Sequence, residues 1–200
     1  MKIKMPVNYN EPIYILHDGW LKREDIDAII GYIKIKNSNI PDKSASVYDL
    51  ASVRILLETY FNETEKEAIN PDLAIAQMLL HTGFFADKGI YLKNRIAHNY
   101  GALLGMFKNR FWTGNNFIDI EHGVKAHIQF LRLLAVGKLS NPETTKVYPL
   151  WDIIKEELKG TKSTLDQIAE NWWGEPYKIQ VKDIYNALLT YVEEKNLIWF

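Results

Sequence analysis

The side chains best suited to acid–base chemistry are a histidine and a few acids between residues 81 and 121. His81 stands in the last turn of an apolar stretch, and Asp87 and Glu121 are among the nearest carboxylates in the sequence. An imidazole moves protons near neutral pH, and a carboxyl group can donate or accept one. Structural uses compete with these roles. A cation at a helix C-terminus complements the macrodipole, and acids such as Asp119 and Glu121 are favoured at a helix start.

A segment that carries only positive charges follows His81. Residues 88–118 contain Lys88, Lys93, Arg95, Lys108 and Arg110 and no Asp or Glu. Without these five cations the rest of the chain has 19 Lys and Arg against 25 Asp and Glu, so it is acidic. This contrast predicts an anionic partner for the segment.

Aromatic residues near the same segment are candidates for lining a ligand cleft. Tyr100 and Trp112 lie within it, and Tyr177 lies near a later helix end. Aromatic rings flanked by polar groups commonly line such clefts, although core packing is the competing use. We take Tyr100, Trp112 and Tyr177 as the binding candidates.

Composition excludes several other classes of function. The chain has no cysteine, and His122 and His127 are five residues apart, which does not place them on one helical face. We therefore expect no metal and no cofactor. A net charge of −1 argues against nucleic acid as a partner, and no apolar run is long enough to span a membrane. No signal peptide is visible at the start of the chain.

Periodicity and end signals predict a mainly α fold in a single domain over residues 1–200. Apolar residues recur at helical spacing in six segments. These lie at about 21–33, 46–62, 71–83, 120–137, 151–158 and 163–174, and a last helix carries Val181 to Val192. From about 86 to 118 the periodicity fails among glycines, so we expect an irregular lobe in which a hairpin is one option.

Four sequence blocks are similar to a known family, in the same order and at about the same spacing. They are INPDLAIAQMLLHTGFF at 69–85, HNYGALLG at 98–105, FIDIEHGVKAHIQFLRLLA at 117–135 and LDQIAENWWGEPYKI at 165–179. Over roughly residues 13–195 the chain resembles the bacterial glucosaminidases that cleave peptidoglycan. The resemblance implies an α+β lysozyme-like fold, a location in the periplasm or cell envelope, and Tyr177 in the cleft beside the N-acetyl group of a sugar.

The sequence departs from this family at the residue that donates the proton. The family's general acid is a glutamate, and His81 occupies its position. A neutral carboxylic acid becomes an anion as it donates, which helps a sugar that is becoming positive. An imidazolium starts positive and leaves no such support. The family's lobe also commonly contributes a second carboxylate, whereas here that lobe is purely basic.

Three hypotheses remain open. In the first, the domain recognises peptidoglycan or a related glycan but has lost or weakened hydrolysis, with Tyr100, Trp112 and Tyr177 on sugars and Arg95, Lys108 and Arg110 on peptide-stem carboxylates. In the second, hydrolysis continues with Asp87 or Glu121 as a substitute acid beside His81. In the third, the basic lobe docks an acidic protein of the cell envelope.

Overall fold

The computed structural model describes residues 11–40, 49–107, 110–113, 115–148, 156–172 and 174–197. Within these residues the chain is mainly helical, as the sequence predicts. The helices are α1 (Ile26–Lys36), α2 (Leu50–Glu67), α3 (Pro71–Thr82), α4 (Gly89–Ile96), α5 (Ile120–Val136), α6 (Leu165–Trp172) and α7 (Gly174–Leu197). No described helix has the length and hydropathy needed to cross a membrane.

Helix α3 starts where its first residues satisfy the free backbone N–H groups. The Asn70 side chain accepts hydrogen bonds from the backbone N–H groups of Asp72 (3.0 Å) and Leu73 (3.3 Å), and Pro71 occupies the first helical position. The Asp72 carboxylate accepts bonds from the backbone N–H groups of Trp20 (2.6 Å) and Leu21 (2.9 Å). These contacts fix the N-terminal segment against the start of α3.

Helix α3 lies in the centre of the fold. It packs against α2, α4 and α7, while α2 also packs against α5 and α7 also packs against α1 and α6. Every residue of α3 from Pro71 to Leu79 is buried. A helix that is apolar around its circumference avoids water only in such a position, and this explains why the sequence predicts it to be internal.

Helix α3 ends in a left-handed turn. Gly83 has φ +55°, its N–H donates to the Leu80 carbonyl, and the Phe84 N–H donates to the Leu79 carbonyl. Phe84 and Phe85 also have positive φ, at +54° and +66°. A Cβ at Gly83 would stand 2.6 Å from the Tyr91 ring, so α4 packs closely onto this turn. His81, in the last turn of α3, therefore lies directly before a tightly packed turn.

The irregular lobe contains more regular structure than the sequence predicts. Helix α4 interrupts it at Gly89–Ile96, and the strands β1 (Leu104–Phe107) and β2 (Arg110–Thr113) form an antiparallel hairpin in which Leu104 pairs with Thr113. The hairpin was one predicted option and is present, but α4 was missed. Its N-cap, Lys88, makes no side-chain cap bond, so no capping signal marks the helix start.

Two further predicted helices lie between residues 151 and 174. The helix predicted around 151–158 falls mostly outside the described residues, and only a 3-10 turn at Glu156–Leu158 is seen. The helix predicted from Ser163 begins at Leu165 instead, with the Thr164 hydroxyl 3.4 Å from the Gln167 N–H that it caps. The N-cap is thus Thr164 instead of the predicted Ser163, one residue later, and Gln167 takes the place predicted for Asp166 and accepts a bond from the Ser163 N–H.

Helix α5 touches the lobe backbone at a glycine. A Cβ at Gly123 would stand 2.0 Å from the His98 carbonyl oxygen, far inside van der Waals contact. The approach joins the 98–105 and 117–135 blocks and leaves no space for a side chain.

We predict that Gly123→Ala destabilises the protein by about 3 kcal/mol or more, because a backbone carbonyl must move to admit the methyl group. Gly31→Ala in α1 is the matched control. A Cβ there would meet the movable Tyr191 hydroxyl at 3.0 Å, so helix propensity should offset the strain. Urea unfolding of both variants measures the difference, and equal stabilities would contradict this packing.

Candidate functional site

His81 and Tyr177, two of the residues singled out by the sequence, lie in contact with each other. The Tyr177 ring, from the first turn of α7, stacks on the imidazole with 5.6 Å between ring centroids and 24° between planes. The Tyr177 hydroxyl lies 3.5 Å from Nε2 of His81. His81 is partly exposed, whereas Tyr177 is only 7% exposed. The end of α3 and the start of α7 therefore place these two side chains at the edge of the core.

A chain of buried hydrogen bonds leads from this pair into the core. Gln77 donates from Nε2 to the Tyr177 hydroxyl at 2.8 Å, and its Oε1 lies 3.1 Å from Nε2 of His127. Nδ1 of His127 is 2.8 Å from the Tyr60 hydroxyl. We call Tyr60, His127, Gln77 and Tyr177 the buried chain. It crosses from α2 through α5 and α3 to α7 and ends at His81.

The buried chain brings the four sequence blocks together. Gln77, His127 and Tyr177 each belong to a different block, and Tyr100 of the fourth block packs edge-on against Tyr60 at 6.4 Å between centroids. A Cβ at Gly101 would stand 2.7 Å from the His127 ring, so that glycine lets the backbone approach the imidazole. Segments that are distant in sequence thus share one packed polar cluster.

Both histidines of this cluster are neutral near pH 7. Burial lowers the pKa of His81 to about 4. Burial, and then repulsion from His81, lowers the pKa of His127 to about 3. Desolvation disfavours the charged form of an imidazole, and neither ring has a carboxylate in the buried chain to compensate. The idea that His81 is a cation complementing the end of α3 is therefore wrong, although its position in the last turn is as predicted.

Asp87 is held by a cation of its own lobe. Its carboxylate forms an ion pair with Arg95, whose guanidinium also donates to the Phe85 carbonyl at 2.7 Å. The Asp87 side chain is 77% exposed and that of Arg95 is 11% exposed. Both residues border a groove of about 680 Å³ lined also by Leu80 and Tyr91, and His81 is not among the described residues of that lining. Asp87 is therefore an exposed, ion-paired carboxylate.

Glu121 and Asp119 have local partners on α5. The Glu121 carboxylate lies 2.5 Å from Nζ of Lys125. A hydrogen bond from Lys125 holds the pKa of Glu121 below its usual range. Asp119 caps α5 by accepting the His122 N–H at 2.8 Å, which lowers its pKa as well. A general acid needs a raised pKa, so both carboxylates suit the helix-start roles better than proton donation.

The remaining binding candidates divide into three cases. Tyr100 has no exposed surface, so it is a core residue here and cannot line a groove as predicted. Trp112 and Arg110 lie in β2, where the structure describes the backbone but not the side chains. Lys108 lies outside the described residues. The roles of Trp112, Arg110 and Lys108 in binding stay predictions.

Sequence reasoning missed most of the buried chain. Gln77 is a polar residue on an otherwise apolar helix, and His127 stands on the apolar face of α5, so each was visible as an exception to its pattern. Their connection through Tyr60 was not visible, because it depends on how α2, α3 and α5 pack. Among the described residues no group of three or more His, Asp or Glu side chains could hold a metal ion.

Comparison with known proteins places the chain beside one relative. It is 33% identical over 140 residues to an uncharacterized protein of Borreliella burgdorferi, a match that covers 70% of this chain and 64% of the relative. The chain thus spans less than two thirds of that relative's length. No protein-family model and no solved structure matches.

The two neutral histidines predict a loss of stability as the pH falls from 6.5 towards 4. The unfolded chain binds protons near pH 6.5, whereas folded His81 and His127 bind them only at about 4 and about 3. Stability is therefore complete above the unfolded pKa. Below it, the free energy of unfolding should fall by up to about 1.4 kcal/mol per pH unit for each histidine.

Urea unfolding at intervals from pH 4 to pH 8 measures this slope. His127→Gln retains a donor and an acceptor but binds no proton, so it should remove about one histidine's share of the pH dependence. A variant whose slope equals that of the wild-type protein would show that His127 titrates normally.

Proposed function

We propose that this domain recognises peptidoglycan or another glycan containing N-acetylglucosamine, and that its hydrolytic activity is lost or weakened. The contact between His81 and Tyr177 carries the proposal. It joins the position of the family's general acid to the tyrosine that the resemblance assigns to the N-acetyl group. The four similar blocks also meet in one cluster, as expected if they form one functional unit. A cell-envelope location follows as part of this proposal.

Weak hydrolysis follows from the state of His81. With a pKa of about 4, only about one molecule in a thousand carries the proton at pH 7. Cleavage of a glycosidic bond needs a proton on the leaving oxygen. The substitute acids are poorly prepared to supply it, since Asp87 pairs with Arg95 and Glu121 pairs with Lys125.

Carboxylate recognition is a second part of the proposal. Arg95 already holds one exposed carboxylate, that of Asp87, in the lining of the 680 Å³ groove. A carboxylate of a peptide stem offers the same geometry and could exchange with Asp87. Lys88, exposed in the same lining, adds positive charge. The domain would then bind both the sugar and the acidic peptide of the polymer.

Binding to purified cell-wall sacculi tests the recognition. The wild-type protein should sediment with sacculi, and Tyr177→Phe should weaken retention by about fivefold to tenfold because the hydroxyl loses both its contact with His81 and its bond from Gln77. Tyr14→Phe, at a half-exposed ring, is the matched control and should bind like the wild type. A complex formed only with an acidic protein, and dispersed by moderate salt, would favour the docking hypothesis instead.

Hydrolysis is tested by the reducing ends released from the same sacculi. The wild-type protein should release few or none, and His81→Glu should raise the rate by restoring a carboxyl group at the end of α3. His122→Glu makes the same exchange at an exposed position on α5 and should have no effect. Efficient cleavage by the wild-type protein, abolished by Asp87→Asn or Glu121→Gln, would replace this account with a relocated acid.

A further inference from the structure

A groove of about 730 Å³ lies at the start of α3, whereas His81 lies at the end of that helix. Its lining includes His17, Asp18, Trp20 and Asn196. Asp72, which binds the 17–21 segment, and His81 are about 14 Å apart along the helix axis. The described residues of this lining include no member of the buried chain, so the groove is separate from the candidate site.

The backbone beneath Trp20 is fixed in the folded protein. The N–H groups of Trp20 and Leu21 donate to the two carboxylate oxygens of Asp72 at 2.6 and 2.9 Å. Gly19 has φ +66°, and a Cβ there would stand 2.6 Å from the Pro71 ring. The Trp20 side chain is nevertheless 40% exposed. A large ring presented on a rigid turn can bind a ligand without the entropic cost of ordering the backbone.

Polar groups of defined hydrogen-bonding type border the groove. The Gly19 N–H donates to Nδ1 of His17 at 2.9 Å, so the neutral imidazole carries its hydrogen on Nε2, where it can be donated. Asn196 donates from Nδ2 to Oδ1 of Asp25 at 2.9 Å, which leaves its amide oxygen as an acceptor. The exposed Asp18 carboxylate has no hydrogen bond or ion pair among the described residues. The groove therefore offers one donor and two acceptors beside an aromatic ring.

The charges in the lining restrict the class of ligand. Among its described residues the acids Asp18, Glu24 and Asp25 outnumber the one lysine, Lys22, so the groove repels phosphates and carboxylates. An ammonium group only donates, and it leaves the Nε2–H of His17 without an acceptor. A hydroxyl group both donates and accepts. A sugar ring combines a rim of hydroxyls with a face of C–H groups that packs on an aromatic ring, so a neutral sugar uses every group of this groove.

We propose that this groove is a second sugar-binding site, in which a neutral saccharide packs on Trp20 and its hydroxyls bond to Asp18, His17 and Asn196. The volume of the groove is in the range of ordinary small-ligand sites. The assignment of a neutral sugar comes from the groove itself. The choice of an N-acetylated sugar as its ligand rests on the proposed function.

Titration of the wild-type protein with chitotriose, followed in ¹H–¹⁵N NMR spectra, tests the site without any variant having to bind. The indole N–H signal of Trp20 is identified among the six tryptophans by its absence from Trp20→Phe. This signal and the backbone amide signals of Gly19 and Leu21 should shift and reach saturation. Signals that do not move at chitotriose concentrations up to about 10 mM overturn the proposal.

Substitutions in the groove test the role of each group, with the Gly19 and Leu21 amide shifts as the readout. Trp20→Ala should weaken binding at least about tenfold because the stacking surface is lost, whereas Trp20→Phe keeps a ring and should stay within about threefold. Asp18→Asn should weaken binding about threefold to tenfold, since a charged acceptor becomes a neutral one. Glu143→Gln makes the matching exchange at an exposed position outside the groove and should bind like the wild type. Equal affinities of Trp20→Ala and the wild type overturn the proposal.

The same titration separates this inference from the proposed function. If chitotriose shifts the groove signals but not those of His81 and Tyr177, the second site stands and the proposed function at the candidate site fails. If it shifts only the signals of His81 and Tyr177, the second site is wrong and the proposed function stands. Trilysine is the cationic probe. Groove signals that respond to trilysine in a salt-sensitive way, and not to chitotriose, overturn the sugar assignment in favour of a basic protein partner.

Discussion

Polar groups in the centre of the fold must find partners in one another, and this constraint explains the arrangement around His81. Helix α3 is buried from its first residue, so Gln77 has no access to water and uses both ends of its amide within the core. Its two partners lie on α5 and α7. The register of three helices is thereby tied to one amide, and the position of His81 depends on that register.

The same burial changes the chemistry available at the end of α3. In an apolar pocket the pKa of a glutamate rises, so the group keeps a proton that it can donate near neutral pH, whereas the pKa of a histidine falls, so the ring has lost its proton at that pH. Under the proposed function, an imidazole at the position of the family's acid weakens proton donation in two ways, by its charge type and by its lowered pKa. Asp87 and Glu121 each form an ion pair with a nearby cation, Arg95 and Lys125 respectively.

Local signals were sufficient to predict the best-marked helices. Asn70, Pro71 and Gly83 delimit α3, and Asp119 starts α5, because capping depends on residues that are close in sequence. The basic character of residues 88–118 is visible in the sequence, but the pairing of Arg95 with Asp87 arises from the turn at Gly83 and the short helix α4. Such a turn has no strong periodic signal. The burial of Tyr100 and the link between Gln77 and His127 likewise depend on packing between helices, which periodicity does not specify.

The protonation state of His81 in the intact protein tests the central claim most directly. Its ring Cε1–H resonance, followed by ¹H NMR in the wild-type protein, reports the pKa without any substitution. The account predicts a resonance that stays constant between pH 8 and pH 5.5 and begins to shift only as the pH approaches 4. A titration centred near 6.5 would show that the imidazole exchanges protons freely at neutral pH, and the claim that burial has disabled it as an acid would be wrong.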